Sequence, residues 1–455
     1  MKDGIKKKQR KFNSTAILAG GFLVVILIGT LLLMLPISSS SGETTDFSDC
    51  LFTSVSATCV TGLTTVNTAA HWSHFGQIVI LCMIQIGGLG FMMITVLLSL
   101  LIKRNLTPRE RMLVMKSYNI EQYDTTLQLV RRICIGTFGI EFIGACVFSI
   151  RFIPDFGVGE GIFKSIFHSV SAFCNAGFDI VGAGNPSITS MSHYTTDPLV
   201  SITIMALIII GGIGFVVWND IINLITRRMR LSVYSRLVLI VTAILLVGGA
   251  LGIAALEWNN PQTLGSLSFG EKILASSFQS TTLRTAGFEM LDNSAMNDAT
   301  LLLSMILMFI GGASGSTAGG VKVATVGIIL YSVARVFFGK REIILFKRKV
   351  TDDTFVRAAS IVIIQLILVI IGTGLISANE EYGILSVLFE VASATGTVGL
   401  TLGITPLLSD FSQAIVMIGM YFGRVGILTV TYAIMLKLND NDSAVTYPKT
   451  NIMIG

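Results

Sequence analysis

A short glycine-centred pattern recurs four times along the chain and constrains its fold more than any other feature. The segments Ser56-Ala-Thr-Cys-Val-Thr-Gly62-Leu63, Ser171-Ala-Phe-Cys-Asn-Ala-Gly177-Phe178, Ser280-Thr-Thr-Leu-Arg-Thr-Ala-Gly287-Phe288 and Ser393-Ala-Thr-Gly-Thr-Val-Gly399-Leu400 align on a glycine followed by Leu or Phe. Successive glycines stand 115, 110 and 112 residues apart. Self-similarity at a fixed period marks a repeat architecture, with one unit of about 112 residues. Each glycine is followed by a second Gly-containing apolar segment: Ile86-Gly-Gly-Leu-Gly-Phe91, Ile210-Gly-Gly-Ile-Gly-Phe215, Ile310-Gly-Gly-Ala-Ser-Gly315 and Phe422-Gly-Arg-Val-Gly426. The offset is 24 or 25 residues in three units and 34 in the second, which carries an additional polar loop over 182–190.

The units are built for a bilayer. The chain is 52% hydrophobic and 13% charged, whereas soluble domains carry about 25% charged residues. Uncharged stretches such as Ile17 to Pro36, Ile78 to Ile102, Pro198 to Trp218 and Ile361 to Asn379 reach the roughly 20 residues that cross the hydrocarbon as helix. In every unit an apolar span leads to a short amphipathic segment, then the glycine loop, then another span. First spans are expected at about 15–36, 130–153, 236–256 and 356–377, second spans at about 78–101, 199–222, 301–331 and 413–436. The segments between, such as Ser48 to Ser56 and Gly161 to Ser171, have helical spacing but too little length to cross, so the chain dips in and returns. Pro36-Ile37-Ser38-Ser39 is a poor cleavage site, so the first apolar run is expected as a retained span and not a signal peptide.

Charge sets orientation. The formal net charge of +5 is unevenly spread: the N-terminus, residues 103–132, 227–236 and 335–357 and the C-terminal tail hold 26 of the 32 Lys and Arg. Basic loops face the cytoplasm, so both termini are expected inside. The expected organisation is a cytoplasmic N-terminus (1–14), repeat 1 (15–102), a linker (103–129), repeat 2 (130–225), a linker (226–235), repeat 3 (236–334), a linker (335–355), repeat 4 (356–436) and a cytoplasmic tail (437–455). The fold class is all-α integral membrane. Four tandem helix, pore loop, helix repeats give eight transmembrane helices and four re-entrant pore loops with pseudo-fourfold symmetry around one pore.

Irregular backbone is excluded from lipid, because each unpaired N–H or C=O costs several kcal/mol; it survives at depth only within protein or along a watery path. Four loops meeting on one axis would aim rings of carbonyl oxygens at a dehydrated cation. Glycine suits the site because it accepts positive φ and brings no side chain. The carbonyls assigned to this role belong to Val60, Thr61 and Gly62; Asn175, Ala176 and Gly177; Thr285, Ala286 and Gly287; and Thr397, Val398 and Gly399. Their side chains differ between repeats, which fits backbone ligands. The plainer alternative, glycine-rich close packing of helices, suits one such loop better than four in register.

These four loops and their paired spans resemble the Trk/Ktr/HKT superfamily of cation transporters over nearly the whole chain, most closely the bacterial KtrB-type membrane subunit. The resemblance implies K⁺ as the transported ion, selected by the filter glycines. A serine at the first-repeat position accompanies Na⁺ permeation in some plant members, and Gly62 stands there. It also implies a bacterial cell membrane, a homodimer with one pore per subunit, and a cytosolic ring of RCK-type, KtrA-like nucleotide-binding subunits. Only about 14 residues precede the first span, against two further spans in the Trk type. No cofactor is expected in this chain itself; nucleotide belongs to the separate ring, and the basic cytoplasmic loops suit that ring or anionic lipid. No His-Glu-x-x-His helix or Ser/His pair lies in the spans, so no enzyme is expected.

The third repeat departs from its siblings. Gly311, Gly312, Ala313, Ser314, Gly315, Ser316, Thr317, Ala318, Gly319 and Gly320 interrupt its second span with ten small residues. Each glycine costs about 1 kcal/mol relative to alanine in a helix, so an unwound loop below the filter is expected, and the resemblance implies that it gates. A phosphate-binding loop is the competing reading, but Gly320-Val321-Lys322 lacks the direct Gly-Lys-Ser/Thr ending. Arg424 lies well inside the second span of repeat four, where an arginine costs about 2.5–3.5 kcal/mol and faces a cavity or partner. It is expected to bond carbonyls of the 312–320 loop and repel cations while the gate is closed; snorkelling to the interface is the alternative. Arg284 is expected to point away from the pore, behind its loop. Glu141, Glu390 and Asp220 are expected in structural pairings, and His71, His74, His168 and His193 as ordinary surface or interface residues.

Overall fold

The computed structural model describes residues 14–90, 126–182, 190–340 and 342–426, together with residues 115 and 188. The expected N-terminus, most of the 103–129 linker and of the 182–190 loop, the last parts of the 78–101 and 413–436 spans and the C-terminal tail lie outside the described residues.

Four groups of helices follow one another. The first holds α1 (Ser14–Leu33), α2 (Phe47–Cys59) and α3 (His74–Leu89); the second α4 (Thr126–Phe156), α5 (Val158–Phe173), α6 (Pro198–Gly212) and α7 (Phe215–Arg227). The third holds α8 (Val233–Glu257), α9 (Phe269–Thr282), α10 (Asp298–Phe309) and α11 (Val323–Phe337); the fourth α12 (Asp352–Asn379), α13 (Ile384–Gly396) and α14 (Asp410–Val425). A small antiparallel hairpin, β1 (Ile344–Leu345) with β2 (Arg348–Lys349), connects the last two groups.

Local chemistry sets where the helices start. Ser73 caps α3 through the Gly76 amide, Asp197 caps α6 through Leu199 and Val200 with Pro198 at the first helical position, and Ser409 caps α14 through Ser412. Each cap is worth about 1 kcal/mol. A full capping box between Ser268 and Glu271 opens α9.

Segment Val130–Phe156, α8 and α12 are each long and apolar enough to cross a bilayer, as is the α6–α7 pair taken together. Their outward faces stay apolar: Ile135, Phe138 and Phe142 on α4, Ile240, Ile244 and Leu251 on α8, and Ile363, Ile367 and Ile370 on α12 are exposed. The short helices α2 and α5 do the reverse, burying Thr53, Ser54, Ser56, Ser165, Ser169 and Ser171. Apolar outside and hydroxyl-rich inside is the arrangement a lipid solvent selects.

One expectation is corrected. The apolar run 199–222 reads as a single span, but α6 and α7 meet at 96°. Gly214 (φ +91°) makes the turn, and the Phe215 amide takes the Gly315 carbonyl at 2.9 Å as its acceptor. The same position ends α3 at Gly90 (φ +80°) and α14 at Gly426 (φ +87°); in repeat three it is Ser314, and the next residue, Gly315 (φ +68°), lies within the long interruption between α10 and α11. One glycine costs about 1 kcal/mol in a helix, too little to break an apolar run by itself. The acceptor offered by the third repeat completes the break in the second.

Within each repeat the first helix packs on the short helix that follows it. Between repeats the packing is cyclic: α3 lies on α5, α6 on α9, α10 on α13, and α14 returns to α2. Four apolar clusters fill the seams, the largest built around Trp72, Phe148, Phe152, Phe167, Phe173 and Phe288.

Candidate functional site

The four short helices end at Cys59, Phe173, Thr282 and Gly396, directly before the triplets in repeats one and four and one or two residues before them in repeats two and three. Each therefore presents its carbonyl end, equivalent to about half a negative charge, to the same region. The backbone then adopts an unusual conformation. The first residue of every triplet is left-handed although none is glycine: Val60 (φ 58°), Asn175 (59°), Thr285 (63°) and Thr397 (52°). The third is the glycine, also left-handed, with φ 97°, 70°, 74° and 97° at Gly62, Gly177, Gly287 and Gly399. The middle residues Thr61, Ala176, Ala286 and Val398 are not among the positive-φ residues. In an ordinary strand neighbouring carbonyls alternate sides; alternating the sign of φ cancels that and turns successive oxygens one way.

A non-glycine residue held there costs of order 1–3 kcal/mol, and three of the four are β-branched. Repeated hydrogen bonds hold them. The amides of Thr61, Ala176 and Val398 each donate to the carbonyl of Ser56, Ser171 and Ser393 at 2.8 Å, and Gly287 donates to Thr282 at 3.2 Å. The hydroxyls of Ser56 and Ser393 accept from the amides of Gly62 and Gly399 at 3.0 Å.

The triplets touch in a closed cycle. A Cβ added to Gly62 would stand less than 3.0 Å from the Ala176 carbonyl oxygen, one on Gly177 from that of Ala286, one on Gly287 from that of Val398, and one on Gly399 from that of Thr61. All four glycines line one cavity of about 440 Å³, with Asp179, Glu289 and Asp292 on its wall. His168, expected as an ordinary surface or interface residue, is fully buried, its Nε2 3.0 Å from Asp179 Oδ1. Burial alone would push the Asp179 carboxyl up, but the bond and charge of His168 and the amides of Val181 and Met191 hold it below its ordinary value.

Below the triplets runs the irregular stretch between α10 and α11, and its backbone groups find partners on three repeats. From repeat two, the carbonyls of Gly212 and Gly211 accept from Ala313 (2.9 Å) and Thr317 (3.3 Å), and the Phe215 amide donates to Gly315. The Tyr234 hydroxyl donates to Ser314 O at 3.1 Å. Within repeat three, Gly311 N meets Val321 O and Val323 N meets Gly312 O. From repeat four, Gly423 O accepts from Gly320 N at 3.3 Å. This accounting is what membrane depth demands of non-helical chain.

Three cationic side chains, Arg424, Lys322 and Arg284, bind the same loop. Arg424 donates through Nη1 to Thr317 O and through Nη2 to Gly87 O and, at 2.9 Å, to Gly88 O. It thus joins the loop to the end of α3 and does not run to an interface. Lys322, considered in the sequence only as a nucleotide ligand, turns its ammonium onto the carbonyls of Ala318 (2.7 Å) and Gly319 (3.3 Å). Sequence reasoning missed it; the available signal was a lysine directly after a glycine-rich intramembrane run. Arg284 is buried and donates from Nη2 to Gly311 O at 2.7 Å. Glu141 accepts from Gln85 at 3.0 Å, Glu390 from Thr401 and Thr405 at 2.6 Å, and Asp220 from Ser235 at 2.6 Å.

The description "TrkH: Cation transport protein" fits residues 5–445. The chain is 41% identical over 454 residues to the potassium/sodium uptake protein NtpJ of Enterococcus hirae, covering 99% of each. It is 38% identical over 446 residues to the Ktr system potassium uptake protein B of Bacillus subtilis, covering 98% of this chain and 97% of the relative. The crystal structure of the potassium transporter TrkH from Vibrio parahaemolyticus shares the fold, with a TM-score of 0.68 at 18% identity over 95% of this chain and 86% of that one. The matched family transports cations and is not one of enzymes. With its four cyclically packed repeats, the chain belongs to the TrkH family of cation transport proteins.

Proposed function

We propose that this chain is the channel-like potassium uptake subunit of a Ktr-type system. Eight membrane crossings and four re-entrant loops surround one pore with pseudo-fourfold symmetry. K⁺ arrives at the outer cavity, sheds its water, and is held by carbonyls of Val60, Thr61, Gly62, Asn175, Ala176, Gly177, Thr285, Ala286, Gly287, Thr397, Val398 and Gly399. The four helix carbonyl ends stabilise the bare ion there. Residues 311–320, tied down by Arg424, close the path beneath. The observation that carries this reading is the cycle of contacts between each glycine and the next triplet's carbonyl, because a ring of backbone oxygens is what coordinates a dehydrated monovalent cation.

The relatives' names support potassium as the ion. A homodimer working with a cytosolic RCK-type nucleotide-binding ring is the assembly we propose, with both termini cytoplasmic. A second reading, K⁺ uptake coupled to Na⁺ or H⁺, is favoured by the name of the Enterococcus relative, a potassium/sodium uptake protein. Reconstitution in liposomes separates the two. K⁺ flux that follows the K⁺ gradient and voltage alone supports a channel, and flux that requires a Na⁺ or H⁺ gradient supports coupling. Failure to rescue a K⁺-uptake-deficient bacterium at low K⁺, even with the cytosolic partner, would overturn the potassium assignment.

A further inference from the structure

The first residues of the four triplets are not equivalent in their side chains. Val60 has no polar atom, and the buried hydroxyls of Thr285 and Thr397 have no hydrogen-bond partner among the described residues. Asn175 has partners at both ends of its amide. Its Nδ2 donates to the Arg284 carbonyl at 3.3 Å, and its Oδ1 lies 3.1 Å from the Thr317 hydroxyl. That hydroxyl lies equally 3.1 Å from the Phe173 carbonyl at the end of α5 and gives its one proton to either acceptor.

Arg284 completes the connection from the other side. Its carbonyl receives Asn175 and its Nη2 donates to Gly311, while Nε and Nη1 have no partner within the described residues. Arg284 is 5% exposed, and among the described residues the irregular loop supplies the one acceptor of its guanidinium. A chain of bonds thus runs from Gly311 through Arg284 and Asn175 to Thr317, entering and leaving the same loop.

We infer that Asn175 and Arg284 are positioning residues that couple the 311–320 loop to the second and third triplets, so that ion discrimination depends on the state of that loop. The physical reason is leverage. Asn175 sits in a left-handed conformation that costs of order 1–3 kcal/mol unless its surroundings enforce it, and its side-chain bonds are part of that enforcement. Moving Thr317 away removes the donor to Asn175 Oδ1, and moving Gly311 away strips Arg284 Nη2 of its acceptor. Either displacement relaxes the backbone whose carbonyls face the ion. This inference rests on the proposed roles of the triplets and the loop.

The test compares K⁺ and Na⁺ fluxes through the full-length protein in liposomes for wild type, Thr317→Val, Thr317→Ser and Gly62→Ser. Thr317→Val keeps the shape and deletes the hydroxyl. It is expected to shift the K⁺-over-Na⁺ flux ratio towards Na⁺ by roughly three- to tenfold, the size one hydrogen bond supports; Thr317→Ser keeps the ratio. A purely mechanical loop would raise leak with the ratio unchanged, and that result for Thr317→Val overturns the coupling while Gly62→Ser still shifts the ratio. If Gly62→Ser leaves the ratio unchanged as well, the filter assignment itself falls. Thr317→Ala carries the same expectation, should the valine variant not yield folded protein.

Discussion

Arg424 of α14 and Thr317 of the 311–320 loop are joined by a hydrogen bond from Nη1 to the carbonyl oxygen, and the same guanidinium reaches Gly87 and Gly88 at the end of α3. One side chain from repeat four therefore connects repeats one and three. In the aligned Gly-containing segments Arg424 occupies the place of Gly88, Gly212 and Gly312. A glycine there leaves room, and an arginine at the same place in one repeat fills it. An arginine at this depth is stable because it is paid for by carbonyls that the helix end and the loop would otherwise leave unpaired.

Arg424→Ala is expected to raise ion leak in liposomes about tenfold or more, since losing a single charge-assisted bond is worth roughly 1.5–3 kcal/mol. Arg424→Lys restores closure only in part, because an ammonium lacks the fork that spans Thr317 and Gly88. Leak unchanged from wild type in Arg424→Ala would remove the closing role.

Lys322 ties the loop to itself, through Ala318 and Gly319, and not to another repeat. Lys322→Gln should therefore raise leak in the same flux assay, but by less than Arg424→Ala. A larger effect than that of Arg424→Ala would reverse the ranking of the two cations.

Gly62→Ser meets two obstacles together. The position has φ +97°, and its Cβ would strike the Ala176 carbonyl of the next triplet. K⁺ over Na⁺ discrimination is expected to fall, and Gly177→Ser, which strikes Ala286 in the same way, is expected to act similarly. Radiotracer competition of Na⁺ against Rb⁺ uptake measures both.

Asp179 fixes the wall of the cavity lined by the four glycines through His168 (3.0 Å), Val181 N (2.6 Å) and Met191 N (2.9 Å). Its carboxyl is held below the ordinary value, so its contribution to stability is fully present above the usual aspartate range and is lost as pH falls through the lowered value. Asp179→Asn is expected to cost about 1–3 kcal/mol at neutral pH. Thermal midpoints of the two purified proteins should converge as the pH is lowered into the acid range, and a gap that stays constant with pH would contradict the assignment.

Several site features were legible because they depend on spacing and residue type alone. The triplet glycines repeat at a fixed interval, so their equivalence is visible without coordinates. Arg424 announces itself as an intramembrane charge, and residues 311–320 as a run no helix favours. Lys322 was misjudged because its partners, Ala318 and Gly319, are carbonyls, and carbonyls leave no mark in a sequence. The full burial of His168 was not legible because it depends on Phe152, Phe167 and Phe288 closing around it, one of them from another repeat.

By itself the sequence determined the apolar segments and the four glycine triplets where the short helices give way to irregular backbone, because each follows from spacing and residue type. Only the tertiary structure decided which repeat lies beside which, that α6 and α7 break at 96°, and that Asn175, Arg284 and Thr317 share bonds. Those facts depend on backbone acceptors more than a hundred residues away, such as the Arg284 carbonyl for Asn175 and the Phe173 carbonyl for Thr317. Every residue type carries the same acceptor, so its location is set by packing and not by local pattern.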